Sequence, residues 1–268
     1  MADIAVGITG CGGRMGRMLI AEVQGTPGCR VAGGIEVKDS PHLGRDLGEL
    51  AGLGTLGIAA GADAAALFRT VDVVIDFTVP AATAAYAAEA ARQGKPLVIG
   101  TTALEREHET ALAKAARSAA IVRAPNMSLG VNLLLGLVRQ LAEKLGEEYD
   151  IEVLEMHHRH KVDAPSGTAL ALGRAAAAGR GIPLESRSRR VRDGITGPRR
   201  AGDIGFATLR GGDVAGDHTV IFAAEGERIE LTHRAGSRRI FARGAVRAAR
   251  WAVGRPPGLY GMAEVLGL

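Results

Sequence analysis

Residues 4–16 read IAVGITGCGGRMG. An apolar run, Ile4 to Thr9, passes straight into Gly10, Cys11, Gly12, Gly13, Arg14, Met15 and Gly16, which open a stretch of helical character from about 13 to 24. Glycines at a strand-to-helix turn let the backbone fold tightly and come close to a pyrophosphate, whose charge is attracted by free N–H groups and the positive end of the helix. The spacing is GxxGxxG rather than strict GxGxxG, so a close strand-to-helix crossing without a ligand stays open as an alternative. The continuation favours a dinucleotide: Glu36 closes the second apolar run about 20 residues after Gly16, where a carboxylate would accept hydrogen bonds from the ribose hydroxyls. A surface charge at a strand end would read the same way. Val37 follows, then Lys38. A 2′-phosphate is usually met by a nearby Arg, so NADH or NADPH is expected with a lean to NADH, Lys38 being the group within reach of a phosphate.

Outward from this loop, short apolar runs alternate with longer alanine-rich stretches. Arg30 to Glu36, Val71 to Thr78, Pro96 to Thr101 and Ile121 to Ala124 are the next candidate strands, with helices expected over about 80–93 and 104–118. The runs are continuously apolar, which suits strands covered on both faces, and strand–helix units of this kind wind a parallel sheet. The expected fold class is α/β, beginning with an N-terminal Rossmann-like doubly wound parallel sheet. Ligands of such sheets sit beyond the carboxyl ends of the strands. Gly100, Thr101 and Thr102, and Ala124, Pro125, Asn126 and Met127, are therefore expected to border the nicotinamide, although ordinary turns share their composition.

After Asn126 the texture changes. Leu133, Leu134, Leu137, Val138, Leu141 and Leu145 recur at helical spacing, predicting an amphipathic helix over about 129–146. Ile151 to Met156, Ile204 to Arg210, Thr219 to Ala223 and Ile229 to His233 read as strands of a second, more antiparallel sheet, with a helix over about 168–178 and a helical tail from about Ile240 to Val253. We expect a dinucleotide-binding domain over 1–128, onto which a C-terminal segment, 238–268, packs back, and a second α+β domain over 129–237.

The 268 residues carry 33 Lys+Arg against 29 Asp+Glu and are 47% hydrophobic, which excludes a disordered or fibrous chain. So small a positive excess does not call for nucleic acid. Arg187, Arg189, Arg190, Arg192, Arg199 and Arg200 cluster in a loop broken by Gly and Pro without interleaved aromatics, better read as solvated or substrate-facing. The weight of alanine and arginine reads as compositional drift. Cys11 and Cys29 make neither a disulfide framework nor a metal-ligand spacing. The opening MADIAVGITG has an acid where a signal peptide carries positive charge, and no run approaches the ~18–20 apolar residues of a membrane span. A soluble cytoplasmic protein without a metal is expected.

The densest chemistry is EMHHRHKVDAPSGT, residues 155–168 after Glu155. If the strand continues to Lys161, His157, Arg159 and Lys161 share one face and His158 and His160 the other. Ser166 can cap the following helix, with the N–H groups of Gly167 and Thr168 directed at an anion. Together these predict a site for a carboxylate-bearing substrate, with His157 as proton carrier, since imidazole titrates near neutrality. A metal held by His157 and His160, a solvated basic loop, or a packed core histidine are the competing readings. Gly211-Gly212-Asp213 and Gly216-Asp217-His218 read as turn chemistry between strands.

These motifs together, GCGGRMG, GTT, APNMSLGVN, EMHHRHKVDAPSGTAL, GDIGFATLRGGDVAGDHTV and ELTHRA, resemble the dihydrodipicolinate (4-hydroxy-tetrahydrodipicolinate) reductase family over essentially the whole chain and in order. The resemblance implies NAD(P)H-dependent reduction of a cyclic unsaturated dicarboxylate to tetrahydrodipicolinate in lysine and diaminopimelate biosynthesis, with hydride to ring C4 and a proton to C3. It implies that His157 is the proton donor and Lys161 a second catalytic cation, and that His158, Gly167 and Thr168 contact substrate carboxylates; Ser166, by its place at the helix start, is expected among the substrate-binding residues. Gly10 to Met15 would form the pyrophosphate loop, Glu36 the ribose acid, and Gly100–Thr102 and Ala124–Met127 the nicotinamide-side loops. An open mixed second sheet and a homotetramer follow from the resemblance alone. Two departures touch cofactor selection or packing: the family often has Arg where Val37 stands, and an aromatic where Met127 stands. A non-catalytic dinucleotide-binding redox sensor and a related dehydrogenase acting on another small dicarboxylate remain as alternatives.

Overall fold

The computed structural model describes residues 2–268, and contacts divide the chain into two units, Met1–Leu129 with Arg239–Leu268, and Gly130–Arg238. In chain order the strands are β1 (Ile4–Thr9), β2 (Cys29–Ile35), β3 (Val73–Asp76), β4 (Leu97–Ile99), β5 (Ala120–Arg123), β6 (Asp150–His157), β7 (Ser188–Arg189), β8 (Ile204–Arg210), β9 (Asp217–Ala224), β10 (Glu227–Arg234) and β11 (Gly258–Tyr260). The α-helices are α1 (Arg14–Gln24), α2 (Leu47–Ala51), α3 (Ala64–Thr70), α4 (Pro80–Gln93), α5 (Arg106–Ala115), α6 (Leu129–Leu145), α7 (Gly167–Gly179), α8 (Leu184–Arg187), α9 (Arg239–Ala252) and α10 (Met262–Leu266).

In the first unit, six strands form a wholly parallel sheet in the order β11-β5-β4-β3-β1-β2. From β1 the chain winds to β2 on one side, then returns to β3 on the other, so the winding reverses between β1 and β3, where Thr9 pairs with Asp76. In open α/β sheets this reversal is where ligands bind. The continuous apolarity of the strands follows from burial on both faces. Val73, Ile75, Val98 and Val122 meet Leu19 and Ile20 of α1 and Ala245 and Ala249 of α9, while Val74, Leu97, Ile99 and Ile121 meet Phe68, Ala87 and Leu112. The alanines thus carry more than composition: Ala242, Ala245, Ala248, Ala249 and Ala252 are the buried stripe that lets α9 lie close to the sheet. At Gly244 any Cβ would sit 1.7 Å from the carbonyl oxygen of Met127.

The second unit holds a five-stranded sheet in the order β10-β9-β6-β8-β7. It is mixed, and more antiparallel than the first sheet, as expected: β6–β8 and β7–β8 are parallel, β6–β9 and β9–β10 antiparallel. Leu134 and Val138 of α6 and Leu172 and Ala176 of α7 pack on Ile151, Val153, Ile204, Phe206, Val220 and Phe222. Along β6 every second residue is buried, so Glu155 and His157 continue the inward row of Ile151 and Val153. The strand stops at His157 and does not run to Lys161. The His158 N–H donates to the Val214 carbonyl (2.8 Å), Arg159 N–H to that of Gly212 (3.2 Å) and Lys161 N–H back to that of His158 (3.1 Å), which turns the chain out of the ladder.

The arginine loop is pinned rather than freely solvated. Arg192 pairs with Glu152 at 2.7 Å, Arg199 with Asp150 at 2.6 Å and Glu152 at 3.1 Å, and Arg189 with Asp203 at 2.6 Å.

Candidate functional site

The glycine turn is shaped by close approach. Gly10 has φ +63°, a left-handed conformation that glycine adopts without steric cost. A Cβ on Gly16 would lie 2.1 Å from the Gly10 carbonyl oxygen, so α1 can start this near the turn only without a side chain there. Gly13 supplies no side-chain cap to α1, and its first turn holds no acid. The N-terminal N–H groups of an eleven-residue helix are thereby left for an anion. The neighbouring amides are already used: Cys11 N–H donates to the Ile35 carbonyl, Gly13 N–H to that of Gly10, and Gly12 N–H to Glu36 Oε1 at 2.7 Å. The Glu36 carboxylate is thus fixed against the loop. Cys11 is fully buried, and burial, then Glu36, pushes its thiol up to about 12, so this residue offers backbone and not reactivity. Arg14 and Lys38 are exposed and Met15 partly so.

At the other strand ends, Gly100 owes its lack of a side chain to Phe77, whose ring atoms lie 2.2 Å from any Cβ position. Thr101 is buried and Thr102 exposed. Ala124 is buried, Pro125 exposed, and Asn126 Oδ1 accepts the Ser128 N–H at 2.9 Å. Met127 sits in the core with Ala242 and Val246, so its side chain faces inward.

In the second unit, the run at the end of β6 is organised by a buried carboxylate. Glu155, 1% exposed, accepts His157 Nδ1 at 2.5 Å, two guanidinium N–H groups of Arg210 at 2.8 and 3.0 Å, and the Ser166 N–H at 3.0 Å. Burial alone would raise this carboxyl, but the bonds from Arg210, His157 and Ser166 hold it below the usual carboxylate range. His157 is thereby locked through Nδ1. Near its Nε2 lies Gly216, where a Cβ would come to 3.0 Å, so a side chain there would crowd that nitrogen. His218 stacks edge-on against His157 with ring centroids 5.1 Å apart and bonds Ser166 Oγ through Nε2 at 3.0 Å. Ser166 Oγ also accepts the Ala169 N–H at 3.1 Å, capping α7, and open space surrounds Gly167 beside it. Lys161 holds Asp163 at 2.7 Å and draws that carboxyl down. His158 is kept below the usual histidine range by desolvation and by Arg238, His160, His157 and Lys161. Among the described residues, no group of three or more His, Cys, Asp or Glu is arranged to hold a metal.

Arg210, Gly216 and His218 are not evident from the sequence run, because strand register gathers them around Glu155, which lies within the run but carries no role in its reading. Arg210 pairs with His157 across β6–β8, and His218 with Glu155 across β6–β9. The GDH segment read as a plain turn supplies two of them.

His218 gives an acid-stability signature. Burial, then His157, lowers its pKa from 6.5 to about 4. Its folded-state pKa lies below the unfolded one, so the unfolded chain binds the extra proton and stability is lost as pH falls from 6.5 to about 4, by about 3 kcal/mol at ~1.4 kcal/mol per unit. Glu155 adds its own loss only further down, below 4.5. Urea unfolding across this range should show a shallower decline for His218→Gln than for the parent; identical slopes would contradict the assignment.

A doubly wound sheet whose glycine turn opens an uncapped helix, in a chain that also carries a histidine–carboxylate pair beside a capped helix start, defines a nucleotide-dependent oxidoreductase of two domains. Residues 4–127 match the family description "Dihydrodipicolinate reductase, N-terminus" and residues 130–266 match "Dihydrodipicolinate reductase, C-terminus". The chain belongs to the dihydrodipicolinate reductase family, whose members bind NAD(P)H. It is 60% identical over 268 residues to the 4-hydroxy-tetrahydrodipicolinate reductase of Parvibaculum lavamentivorans, covering 100% of this chain and 99% of that one. It is 58% identical to that of Afipia carboxidovorans, covering 100% and 98%. Its fold is that of the dipicolinate-bound dihydrodipicolinate reductase from Paenisporosarcina sp. TG-14, with a TM-score of 0.79 at 22% identity over 98% of each chain.

Proposed function

We propose that the protein reduces 4-hydroxy-tetrahydrodipicolinate to tetrahydrodipicolinate in lysine and diaminopimelate biosynthesis, using NADH in preference to NADPH. The observation that carries this reading is the Glu155–His157 pair on a strand whose next helix begins at Ser166, within a chain related over its full length to named reductases. When bound, the reduced nicotinamide supplies a hydride to ring C4.

The first unit is the cofactor domain. Gly10, Cys11, Gly12 and Gly13 form the turn against which the pyrophosphate lies, and the N–H groups of Arg14 and Met15 at the uncapped start of α1 receive it. Glu36, fixed to Gly12, accepts the ribose hydroxyls and repels a 2′-phosphate, and Lys38 lies two residues on. Residues 100–102 and 124–127 flank the nicotinamide. The second unit takes the substrate and assembles the homotetramer, as the family resemblance implies. Lys161, His158, Gly167 and Thr168 hold the two carboxylates with charge, hydrogen bonds and the open start of α7, while Ser166, expected among them, is engaged by Glu155, His218 and Ala169 and acts by capping that helix. His157, locked at Nδ1, gives a proton from Nε2 to C3. An electron-poor conjugated imine accepts hydride once its carboxylates are held, so holding the ring and delivering one proton is what the residues must supply. The reaction would take place in the cytoplasm; no described helix is long and apolar enough to cross a membrane.

NADH oxidation followed at 340 nm, with substrate made in situ from pyruvate and aspartate semialdehyde by the preceding synthase, tests the assignment. A rate above background supports it, and its absence refutes it. In the same assay NADPH should serve less well; an NADPH preference above about tenfold, ~1.4 kcal/mol, would remove the lean to NADH.

A further inference from the structure

Asp76 ends β3 fully buried, at the strand pair where the winding of the first sheet reverses. A carboxylate in such a place is tolerated only when hydrogen-bonded. Four threonine hydroxyls donate to it: Thr9 and Thr78 to Oδ1, each at 2.6 Å, and Thr83 and Thr101 to Oδ2 at 2.5 and 3.1 Å. They come from the end of β1, the turn after β3, the first turn of α4 and the turn after β4. Thr101 Oγ1 also accepts the Thr78 N–H at 3.0 Å, and the Asp76 carbonyl accepts the Gly100 N–H at 2.9 Å.

A carboxylate offers about four acceptor positions, two on each oxygen, and here each oxygen already takes two hydroxyls. Asp76 therefore has no capacity left for a ligand. It acts as a clamp on the segments that end β1, β3 and β4, and fixes the hydroxyl of Thr101 and, through its own carbonyl, the backbone of Gly100. A valine-like core could stabilise the sheet as well; what it could not do is set the direction of four hydroxyls and lock the Gly100–Thr102 turn.

We propose that Asp76 is a positioning residue for the nicotinamide end of the cofactor, acting through Thr101 and Thr78. The inference rests on the reading of residues 100–102 as nicotinamide-side. It divides the clamp by oxygen: Oδ1 takes Thr9, which leads into the glycine turn, and Thr78, whereas Oδ2 takes Thr83 and Thr101, so a loss confined to Oδ2 acts on the nicotinamide side and leaves the Thr9 bond at the glycine turn in place.

The test uses Thr83→Val, which keeps side-chain volume and removes one donor from Asp76 together with the 2.9 Å contact of Thr83 Oγ1 with Thr101 Oγ1, Thr83→Ser, which restores the hydroxyl, and Asp76→Asn, whose amide turns two donors against hydroxyls. For each, the single-turnover rate of NADH oxidation with the dicarboxylate and the affinity for ADP-ribose by calorimetry are measured. Thr83→Val should slow turnover about five- to tenfold, the scale of one hydrogen bond, with ADP-ribose affinity within about twofold of the parent. Thr83→Ser should recover the rate, and Asp76→Asn, which also loosens Thr9 ahead of the glycine turn, should lose rate and ADP-ribose affinity together. Should Asp76→Asn not fold, the two Thr83 variants decide. In Thr83→Val, an unchanged rate, or an ADP-ribose loss equal to the rate loss, would overturn the clamp while leaving the proposed function standing. Absence of NADH turnover in the parent would overturn that function and the clamp together.

Discussion

His157→Gln should lower kcat by about 10²- to 10⁴-fold, the usual worth of a positioned general acid, while KM for the dicarboxylate stays within about threefold. The glutamine amide can still donate to Glu155, as Nδ1 does now at 2.5 Å, and fills similar space against His218, so the pocket should keep its shape. What it cannot do is release a proton at neutral pH. Water then supplies the proton for the residual rate. Rapid-mix assays of kcat and KM check both parts. Turnover within about twofold of the parent would mean that the proton comes from elsewhere, and Lys161 would be the next group to test.

The sheet could be read from the sequence because its evidence is local. Each strand of the first unit is covered on both faces, so apolarity runs unbroken through Val73 to Ile75 and Leu97 to Ile99, and the glycine turn is a contiguous string. β11 could not be read: it is three residues, Gly258–Tyr260, and is a strand only because β5 offers it an edge. The alanines misled for a related reason. A buried alanine and a drifted one have the same composition, and only the spacing on α9, set against a glycine that touches the Met127 carbonyl, tells them apart.

The candidate site divides in the same way. The string from His157 to Thr168 is visible because it is continuous, and its backbone direction was misjudged where turn bonds to Gly212 and Val214 replace the ladder. Its partners were invisible because the forces that recruit them act across register. Arg210 is brought to Glu155 from 55 positions away, and His218 to Ser166 from 52. The one available signal was a Glu two residues before a His on a strand, which period-two alternation puts on the same face. Asp76 was missed because a buried acid inside an apolar run looks like a strand end until its threonines are found around it.

Glu155→Gln should cost the fold and the rate together, and by different routes. Both carboxylate oxygens receive one Arg210 N–H each; Oε2 also receives His157, and Oε1 the Ser166 N–H. A glutamine must turn its NH₂ toward one of these sides. In either orientation it meets an arginine N–H that has no acceptor, so no rotamer satisfies the site. Removing one partner of a buried ion pair typically costs ~3–5 kcal/mol, and Arg210, partly exposed at 21% of its side chain, can recover some solvent, which places the expected loss near the lower figure, about 3 kcal/mol. The rate falls because His157 Nδ1 loses the acceptor that fixes its tautomer and ring orientation, and a histidine held in the wrong tautomer loses most of its function. A catalytic pair acting as one unit is not additive. Glu155→Gln should therefore lower kcat by at least about 10²-fold, and Glu155→Gln combined with His157→Gln should be no slower than His157→Gln alone. Stability separates the two positions further: urea midpoints should drop sharply with Glu155→Gln and little with His157→Gln. If the two rate losses multiply in the double variant, Glu155 acts on the reaction by a route other than His157, and the pairing read from their 2.5 Å contact is not what turnover depends on.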